Sequence, residues 1–296
     1  MSNALTISEL LSKGVRLLKE RAIPNPRTDA ELLLAHVLTR SKLYIITNPD
    51  EIIDSGMIEE YLKAISMRAY GNPVQYIIGA AEFYNVSLKV NPDVLIPRPE
   101  TEVLVSSILE VIREDEFFEH EEKLSLLEIG TGSGAISVAI AYELCRDKDL
   151  RIVATDVSNR ALKVAEENIK NYGLGELIEL RLGDMFEVID EGEMFHIIIS
   201  NPPYVRRKDL ETLPEEVRER EPMVALVSGE TGFELIDILL GEGRKHLHRG
   251  GILALEMGMG QRDRVAAMFE KNGYQHYLFR NDLTGIPRVA MAWWGH

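Results

Sequence analysis

The stretch of this chain best equipped for chemistry is SNPPYV, residues 200–205. It follows FHIIIS, an apolar run that reads as a buried strand. Prolines cannot donate to a sheet ladder, so the strand must end there. At its tip, the side-chain oxygen of Asn201 accepts hydrogen bonds, and the rigid Pro202–Pro203 pair can aim the Pro202 carbonyl the same way. Two such acceptors grip the two N–H bonds of one NH2 group, and Tyr204 offers a face on which a planar group stacks. The matching target is a flat, conjugated amine: a carboxamide or the exocyclic amine of a base. Its nitrogen is a weak nucleophile because the lone pair is delocalised, and accepting its hydrogens enriches that lone pair. No histidine base is needed, and none of the seven histidines stands in a catalytic context. Asn-Pro also marks ordinary strand ends, and the four residues alone do not tell a glutamine-type amide from an adenine-type amine.

A second set of residues supplies a place for a reaction partner. LLEIGTGSGAI (126–136) reads as a strand, a glycine turn and a helix start. Gly130, Gly132 and Gly134, with Thr131 and Ser133 between them, let the backbone turn sharply and let a ligand approach the helix N-terminus. A dinucleotide fingerprint would space its glycines G-x-G-x-x-G; the G-x-G-x-G here disfavours a nicotinamide-dependent oxidoreductase. Preceded by the acid Glu128, the pattern resembles the first motif of Rossmann-like methyltransferases, which bind S-adenosylmethionine. Asp156 closes RIVATD, 22 residues after Gly134, where an acid can accept both ribose hydroxyls of a nucleoside. Asp184 closes the next strand in LGDMF. The resemblance implies that this acid faces the adenine amino group, with Met185 covering the ring. Singly, each acid is as readily a loop carboxylate or a helix cap; their order along successive strand ends argues for a nucleoside site. Asn201 would then stand beside a sulfonium methyl, and the protein's contribution would be position and a desolvated polar setting.

These residues can cooperate only if the fold brings them to one edge. From 124 onward KLSLLEIG, RIVATDV, LIELRLGD, MFHIIIS and GGILALEMG read as strands. SGAISVAIAYEL, SNRALKVAEENIKNYG, ELIDILLGEGRKHL and RDRVAAMFEKNG read as helices. Such alternation predicts a parallel sheet covered on both faces. YQHYLFRN and RVAMAWW have no helix between them and should pair antiparallel, giving an α/β, Rossmann-like fold with a mixed seven-stranded sheet. In open α/β sheets ligands bind at the carboxyl ends of the strands, where all the residues named above fall.

Ahead of this domain (97–296), residues 1–73 read as a small helical bundle and 74–96 as a β-hairpin linker. Thr6 and Glu9 have capping-box spacing before the stripe Leu10, Leu11, Val15, Leu17, Leu18. Asn25 and Pro26 read as cap and first helical residue of a second helix. DSGMIEEYLKAISMRAY gives a third. In EFYNVSLKV, Phe83, Asn85, Ser87 and Lys89 alternate with Tyr84, Val86, Leu88 and Val90. REDEFFEHEEK (113–123) reads as a solvated loop or helix end. The N-terminal segment carries Glu9, Lys13, Arg16 and Lys19, unlike a signal peptide. No apolar run approaches the ~18 residues of a membrane span, so no membrane is expected. A single cysteine, Cys145, makes a reducing cytoplasm the expected setting. The formal charge of −15 lies wholly on residues 91–296, with 23 Lys+Arg against 38 Asp+Glu, while residues 1–90 balance. Phosphate backbones are held by basic surface, so nucleic acid is a poor expectation as substrate; RRK at 206–208 is the local exception.

The chain further resembles the release factor glutamine methyltransferases (the HemK/PrmC family). PRTDAELLLAHVL, GNPVQYIIGAAEFY, LIPRPETE, EIGTGSGAI, ATDVS, NPPYV, EPMVAL and LEMGMGQ carry the likeness over nearly the whole length. NPPY is shared with adenine methyltransferases; IPRPETE and a preceding helical domain are more particular to this family. The resemblance implies methylation of the glutamine amide in the Gly-Gly-Gln motif of class-1 peptide chain release factors. It implies cofactor contacts at Gly130–Gly134, Asp156 and Asn201, a glutamine held by Asn201, Pro202, Pro203 and Tyr204, and a helical domain that docks the release factor. Some members carry tryptophan where Met185 stands. The rival readings are an amino-methyltransferase of adenine or another base, and a non-catalytic nucleoside- and partner-binding module. No metal is expected. PRPETE is set aside as a junction: Pro99 and Thr101 read as a helix start, Arg98 as an ion-pair partner. Trp293 and Trp294 read as strand-end packing, and Cys145 as core.

Overall fold

The computed structural model describes residues 5–119, 121 and 123–295. Their contacts resolve into two units, Met1–Ala80 with Pro214–Arg220, and Ala81–Leu213 with Glu221–His296.

The first unit is helical, with helices at Ile7–Glu20, Pro26–Val37, Lys42–Thr47, Ser55–Ala69 and Val74–Ile78. The expected capping box forms: Thr6 Oγ1 accepts from the Glu9 amide at 3.2 Å, and the Thr6 amide donates to Glu9 Oε2 at 2.9 Å. Asn25 departs from expectation. Pro26 does open its helix, but with ψ at 58° Asn25 lacks the extended backbone that aims a capping side chain, and it makes no side-chain cap. Leu10, Leu18, Leu33, Leu34, Tyr61 and Ile65 form the core. Arg68 is buried among polar partners, with Nε 2.6 Å from Asp29 and Nη1 2.5 Å from Glu216. Arg220 donates to the Tyr70 carbonyl at 2.8 Å. These bonds draw a short helix, Glu215–Arg220, into a unit otherwise built from the first 80 residues.

The second unit opens on a hairpin, Ala80–Phe83 and Val86–Lys89. A two-residue turn at Tyr84–Asn85, with Tyr84 at φ 52°, interrupts the alternation read from sequence. The turn resets the pattern, so Phe83, Val86 and Leu88 all enter the same core. The strands of the main sheet are β1 (Lys123–Ile129), β2 (Asp149–Asp156), β3 (Ile178–Leu182), β4 (Phe195–Ser200), β5 (Leu247–Glu256), β6 (His276–Asn281) and β7 (Pro287–Trp293). Their order is β6-β7-β5-β4-β1-β2-β3. The first five are parallel, and the last two pair antiparallel with each other, as read from the missing helix between them; β7 runs against the first five. Helices α1 (Pro99–Glu114), α2 (Ala135–Leu144) and α3 (Asn159–Asn171) cover one face with the hairpin, while α4 (Glu234–Gly243) and α5 (Arg262–Lys271) cover the other. α2 is buried nearly all round, which its run of Ala, Ile and Val requires.

The charged stretch 113–123 begins as a helix end, as read, since α1 runs to Glu114. Beyond it the stretch is not simply a solvated loop: Glu116–Glu119 form a helical turn and Phe118 is fully buried. His120 and Glu122 of that stretch lie outside the described residues. Cys145 is exposed rather than core, because it caps the end of α2, one residue past the last buried position, Leu144. Trp293 does pack at a strand end, its Nε1 donating to Asp115 at 3.2 Å. No helix among the described residues is long and apolar enough to cross a membrane.

Gly14 sets how closely the first helix meets Ser55–Ala69. A Cβ there would lie 2.1 Å from the Tyr61 hydroxyl, in a fully buried position. Gly14→Ala should therefore destabilise the helical unit by about 1–3 kcal/mol despite alanine's better helix propensity, as read by urea denaturation. Unchanged or raised stability would contradict this packing.

Candidate active site

The site begins at the point where the chain winds both ways from the sheet centre. β1 and β4 are parallel neighbours, with Ile129 opposite Ser200, and the loops that leave them diverge. That divergence opens a crevice at their carboxyl ends. A cavity of about 360 Å³ lies there.

The glycine loop forms its floor. Gly130, Gly132 and Gly134 have φ of 76°, 56° and 81°, the left-handed region that glycine enters without strain. A Cβ on Gly130 or Gly132 would meet no heavy atom within 4 Å, so the loop leaves room for a ligand against its backbone. The Gly130 and Thr131 amides both donate to the Thr155 carbonyl at 2.9 Å, tying the loop to the end of β2. Gly134 is packed behind it, its Cβ position 3.3 Å from Ala165. Asn168, fully buried on α3, donates to the Ser133 carbonyl at 2.8 Å and exchanges bonds with Lys89 of the hairpin. No motif marks Asn168 in the sequence; a buried polar residue on an amphipathic helix is its only trace.

Two acids hold this loop from beneath. Glu128 is buried, and its Oε2 accepts from Thr131 Oγ1 at 2.8 Å, from the Ser137 amide at 3.2 Å and from the Ser137 hydroxyl. Burial pushes its carboxyl up to about 7, against the pull of those hydrogen bonds. Asp156 accepts from the Gly132 amide through Oδ2 and from the Ser158 amide through Oδ1, both at 2.8 Å. Burial raises it as well, opposed by these backbone donors. Asp184 is exposed at the cavity wall beside Met185, whose φ of 49° is strained for a side chain of that size.

At the tip of β4, Asn201 Nδ2 donates to Thr101 Oγ1 at 3.0 Å. Thr101 Oγ1 donates to Glu256 Oε2 at 2.6 Å, and the Tyr204 hydroxyl donates to Glu256 Oε1 at 3.2 Å. Glu256 ends β5 and is 1% exposed. Burial lifts it to about 7, with Thr101, Tyr204 and Arg288 pulling it down and Glu100 adding to the rise. The same burial and the nearby carboxylate push the Tyr204 hydroxyl up. Glu128, Gly130, Thr131, Gly132, Ser133, Asp156, Asp184, Met185, Asn201, Pro202 and Pro203 all line the cavity; Gly134 and Tyr204 do not. Thr101 and Arg98, set aside with PRPETE, line it too. Arg98 pairs with Glu221, the ion-pair role read from sequence.

The charges of the wall select among ligands. Among the described residues that line the cavity, Asp93, Glu128, Asp156 and Asp184 stand with one cationic side chain, Arg98, which is paired. A diphosphate would find no free cation among these described residues, whereas a ligand carrying sulfonium and ammonium charges suits acidic surroundings. An open glycine backbone, an acid at the end of β2 and this charge balance fit S-adenosylmethionine.

Known proteins resemble this chain along its length. A family model described as the PrmC N-terminal domain matches residues 9–79, and one described as the methyltransferase small domain matches 107–217. A release factor glutamine methyltransferase of Coxiella burnetii is 38% identical over 90% of this chain and 91% of its own. Proteins of the same name from Clostridium acetobutylicum and Aliivibrio fischeri are 32% and 34% identical, over 97% and 98% of this chain and 98% of each relative. Among solved structures, the hMettl16 catalytic domain in complex with the MAT2A 3'UTR hairpin 1 superposes with a TM-score of 0.57 at 13% identity, over 89% of this chain and 91% of that one. The N-terminal domain of human METTL16 in complex with SAH gives 0.52 at 14% identity, over 89% and 94%. At these identities the two structures bear on the fold: the sheet and helices are those of a methyltransferase.

The buried Glu128 carries a measurable signature. Its carboxyl sits near 7 in the folded chain against 4.5 for the free group. Between those values the native state keeps a proton that the unfolded chain has released, so ionisation costs stability as pH rises through this window. Glu128→Gln removes that titration. Its stability relative to the wild type should climb between about pH 5 and pH 7.5, by roughly 2–4 kcal/mol, in urea denaturation across pH. A pH-independent difference would mean that Glu128 is not shifted.

Proposed function

The chain belongs to the family of release factor glutamine methyltransferases, and from that premise we propose that it methylates the side-chain amide nitrogen of the glutamine in the Gly-Gly-Gln motif of class-1 peptide chain release factors. The observation that carries this reading is the fixed Asn201 amide. With Nδ2 committed to Thr101, Oδ1 is the atom left to accept, beside Pro202 on the same cavity wall. A primary amide is the group that two such acceptors suit, and the chain offers it a desolvated position rather than a base.

S-Adenosylmethionine would supply a methyl group made electrophilic by its sulfonium. In this reading the Gly130–Gly134 backbone would hold its methionine part, Asp156 its ribose hydroxyls, and Asp184 and Met185 its adenine. Asn201 and Pro202 would hold the glutamine NH2 with its lone pair free to take the methyl group. Transfer would form the N–C bond with the electron pair of the broken C–S bond left on sulfur, and one N–H proton would pass to solvent. Asn201 and Pro202 stabilise the nitrogen while it carries positive charge, since they accept from N–H bonds that become more acidic. Tyr204 backs the clamp, its hydroxyl tied to Glu256.

The partner in this proposal is a release factor, docked by the charge-balanced helical unit. Neither direct nucleic-acid binding nor a membrane enters it, and the expected setting is the cytoplasm. The acidic wall supports a protein substrate over a polyphosphate backbone.

Purified protein, labelled cofactor and release factor should yield a Gly-Gly-Gln peptide heavier by one methylene, with the change on glutamine in fragmentation spectra. Asn201→Ala should lower turnover by at least about 100-fold while cofactor affinity, by calorimetry, stays within a few-fold. Label on nucleic acid and none on release factor would overturn the substrate; wild-type turnover by Asn201→Ala would overturn the clamp.

A further inference from the structure

We infer that Thr101 and Glu256 are positioning residues that fix the hydrogen-bond polarity of Asn201, so that the site receives an NH2 group and refuses an acceptor oxygen. The inference rests on the reading of Asn201 as the substrate clamp. It assigns a task to two residues that no motif joins: they lie 155 positions apart and meet only where the start of α1 crosses the end of β5.

Above about pH 7 Glu256 is ionised, and an ionised carboxylate accepts and cannot donate. Glu256 has one oxygen taken by the Tyr204 hydroxyl and the other by Thr101. Thr101 has a single hydroxyl proton, spent on Glu256, and is left with lone pairs. The group facing those lone pairs must be a donor, so Asn201 presents Nδ2 there, at 3.0 Å. Its Oδ1 is thereby turned to accept. The reversed amide would set oxygen against oxygen, with Thr101 only 4% exposed and little water to intervene, a misfit worth roughly a factor of ten to a hundred. A glutamine NH2 meets an acceptor at this site; a glutamate carboxylate meets a lone pair and is repelled. Selection between an amide and an acid of the same shape is thus set two hydrogen bonds away from the substrate.

Protonation of Glu256 would reverse the chain, since a carboxylic acid can donate to Thr101 and free the threonine proton for Asn201 Oδ1. The groups that decide this are the donors Thr101 and Tyr204, the cation Arg288 on β7, and Glu100 beside Thr101 on α1.

Thr101→Val keeps the shape and removes both roles of the hydroxyl; Thr101→Ser restores them. The first readout needs neither cofactor nor substrate. In protein labelled with 15N-asparagine, the Asn201 side-chain NH2 signal, assigned by its loss in Asn201→Ala, should shift and exchange at least about tenfold faster in Thr101→Val. It should return towards wild type in Thr101→Ser. The second readout uses release factor carrying Gly-Gly-Gln or Gly-Gly-Glu: Thr101→Val should shrink the preference for binding glutamine over glutamate about tenfold, and Thr101→Ser should recover it. An Asn201 signal unmoved in Thr101→Val, or a serine variant as impaired as the valine one, would overturn the inference. Should Thr101→Val fail to fold, Thr101→Ala serves in its place, and an Asn201 signal identical to wild type would be equally fatal. Failure of the wild-type protein to methylate release factor would sink the proposed function, yet the NMR result would still stand or fall alone.

Discussion

Everything at the site depends on one constraint of chain direction. β1 and β4 lie side by side and parallel, so their ends reach the same edge, but the segments that continue from them must go to opposite faces of the sheet. No backbone fills the gap between them. Into it fall the loop after β1, with its left-handed glycines, and the tip of β4, with its prolines. Both features are compact for the same reason: glycine lets a turn close without side chains, and proline ends a strand without needing a ladder partner. A cofactor and a flat substrate group can therefore approach each other across about the width of two strands, which neighbouring strands set at roughly 5 Å apart.

A gap of this kind would be soft if only loops bounded it, and buried carboxylates stiffen it. Glu128 at β1, Asp156 at β2 and Glu256 at β5 all sit at the carboxyl ends of strands, each turned to hold hydroxyls or amides of neighbouring segments. Carboxylates suit this because each accepts several bonds at once, fastening two or three chain segments with one side chain. The cost is desolvation, visible in the upward shifts of all three. Each of these carboxylates therefore ionises at a cost in stability. A cationic ligand would offset that cost, so the fastening and the electrostatics have one origin.

The parts of the site legible in the sequence are those whose cause is local. Gly130, Gly132 and Gly134 announce a turn because left-handed backbone is a property of single residues. Asn201 to Tyr204 announce a strand end because two prolines forbid its continuation. The strand and helix alternation places both on the same edge. The parts that stayed hidden have distant causes. Thr101 reads as a helix start and Glu256 as a strand end, and only the crossing of α1 with β5 makes them a pair. Asn168 reads as one more polar residue on a helix until the hairpin and the glycine loop close over it. Phe118 lies among charges that suggest solvent, and Cys145 lies on an apolar helix that happens to end one residue earlier.

The hidden residues also explain how one sequence motif can serve different chemistries. An Asn-Pro-Pro-Tyr tip offers a planar NH2 two acceptors only if the asparagine is held in one of its two amide orientations, which differ by half a turn and are nearly equal in shape. Nothing within the four residues breaks that tie. In this chain it is broken by a hydroxyl from the first turn of α1, oriented in turn by a buried acid from β5. The tip is therefore generic and its polarity is supplied from outside. A chain that kept the tip but placed a donor where Thr101 stands would present an NH2 rather than an oxygen to its substrate, and would favour an acceptor atom instead. The residues that carry selectivity in this fold should accordingly be sought at the start of the helix preceding β1 and at the end of β5, as well as in the tip.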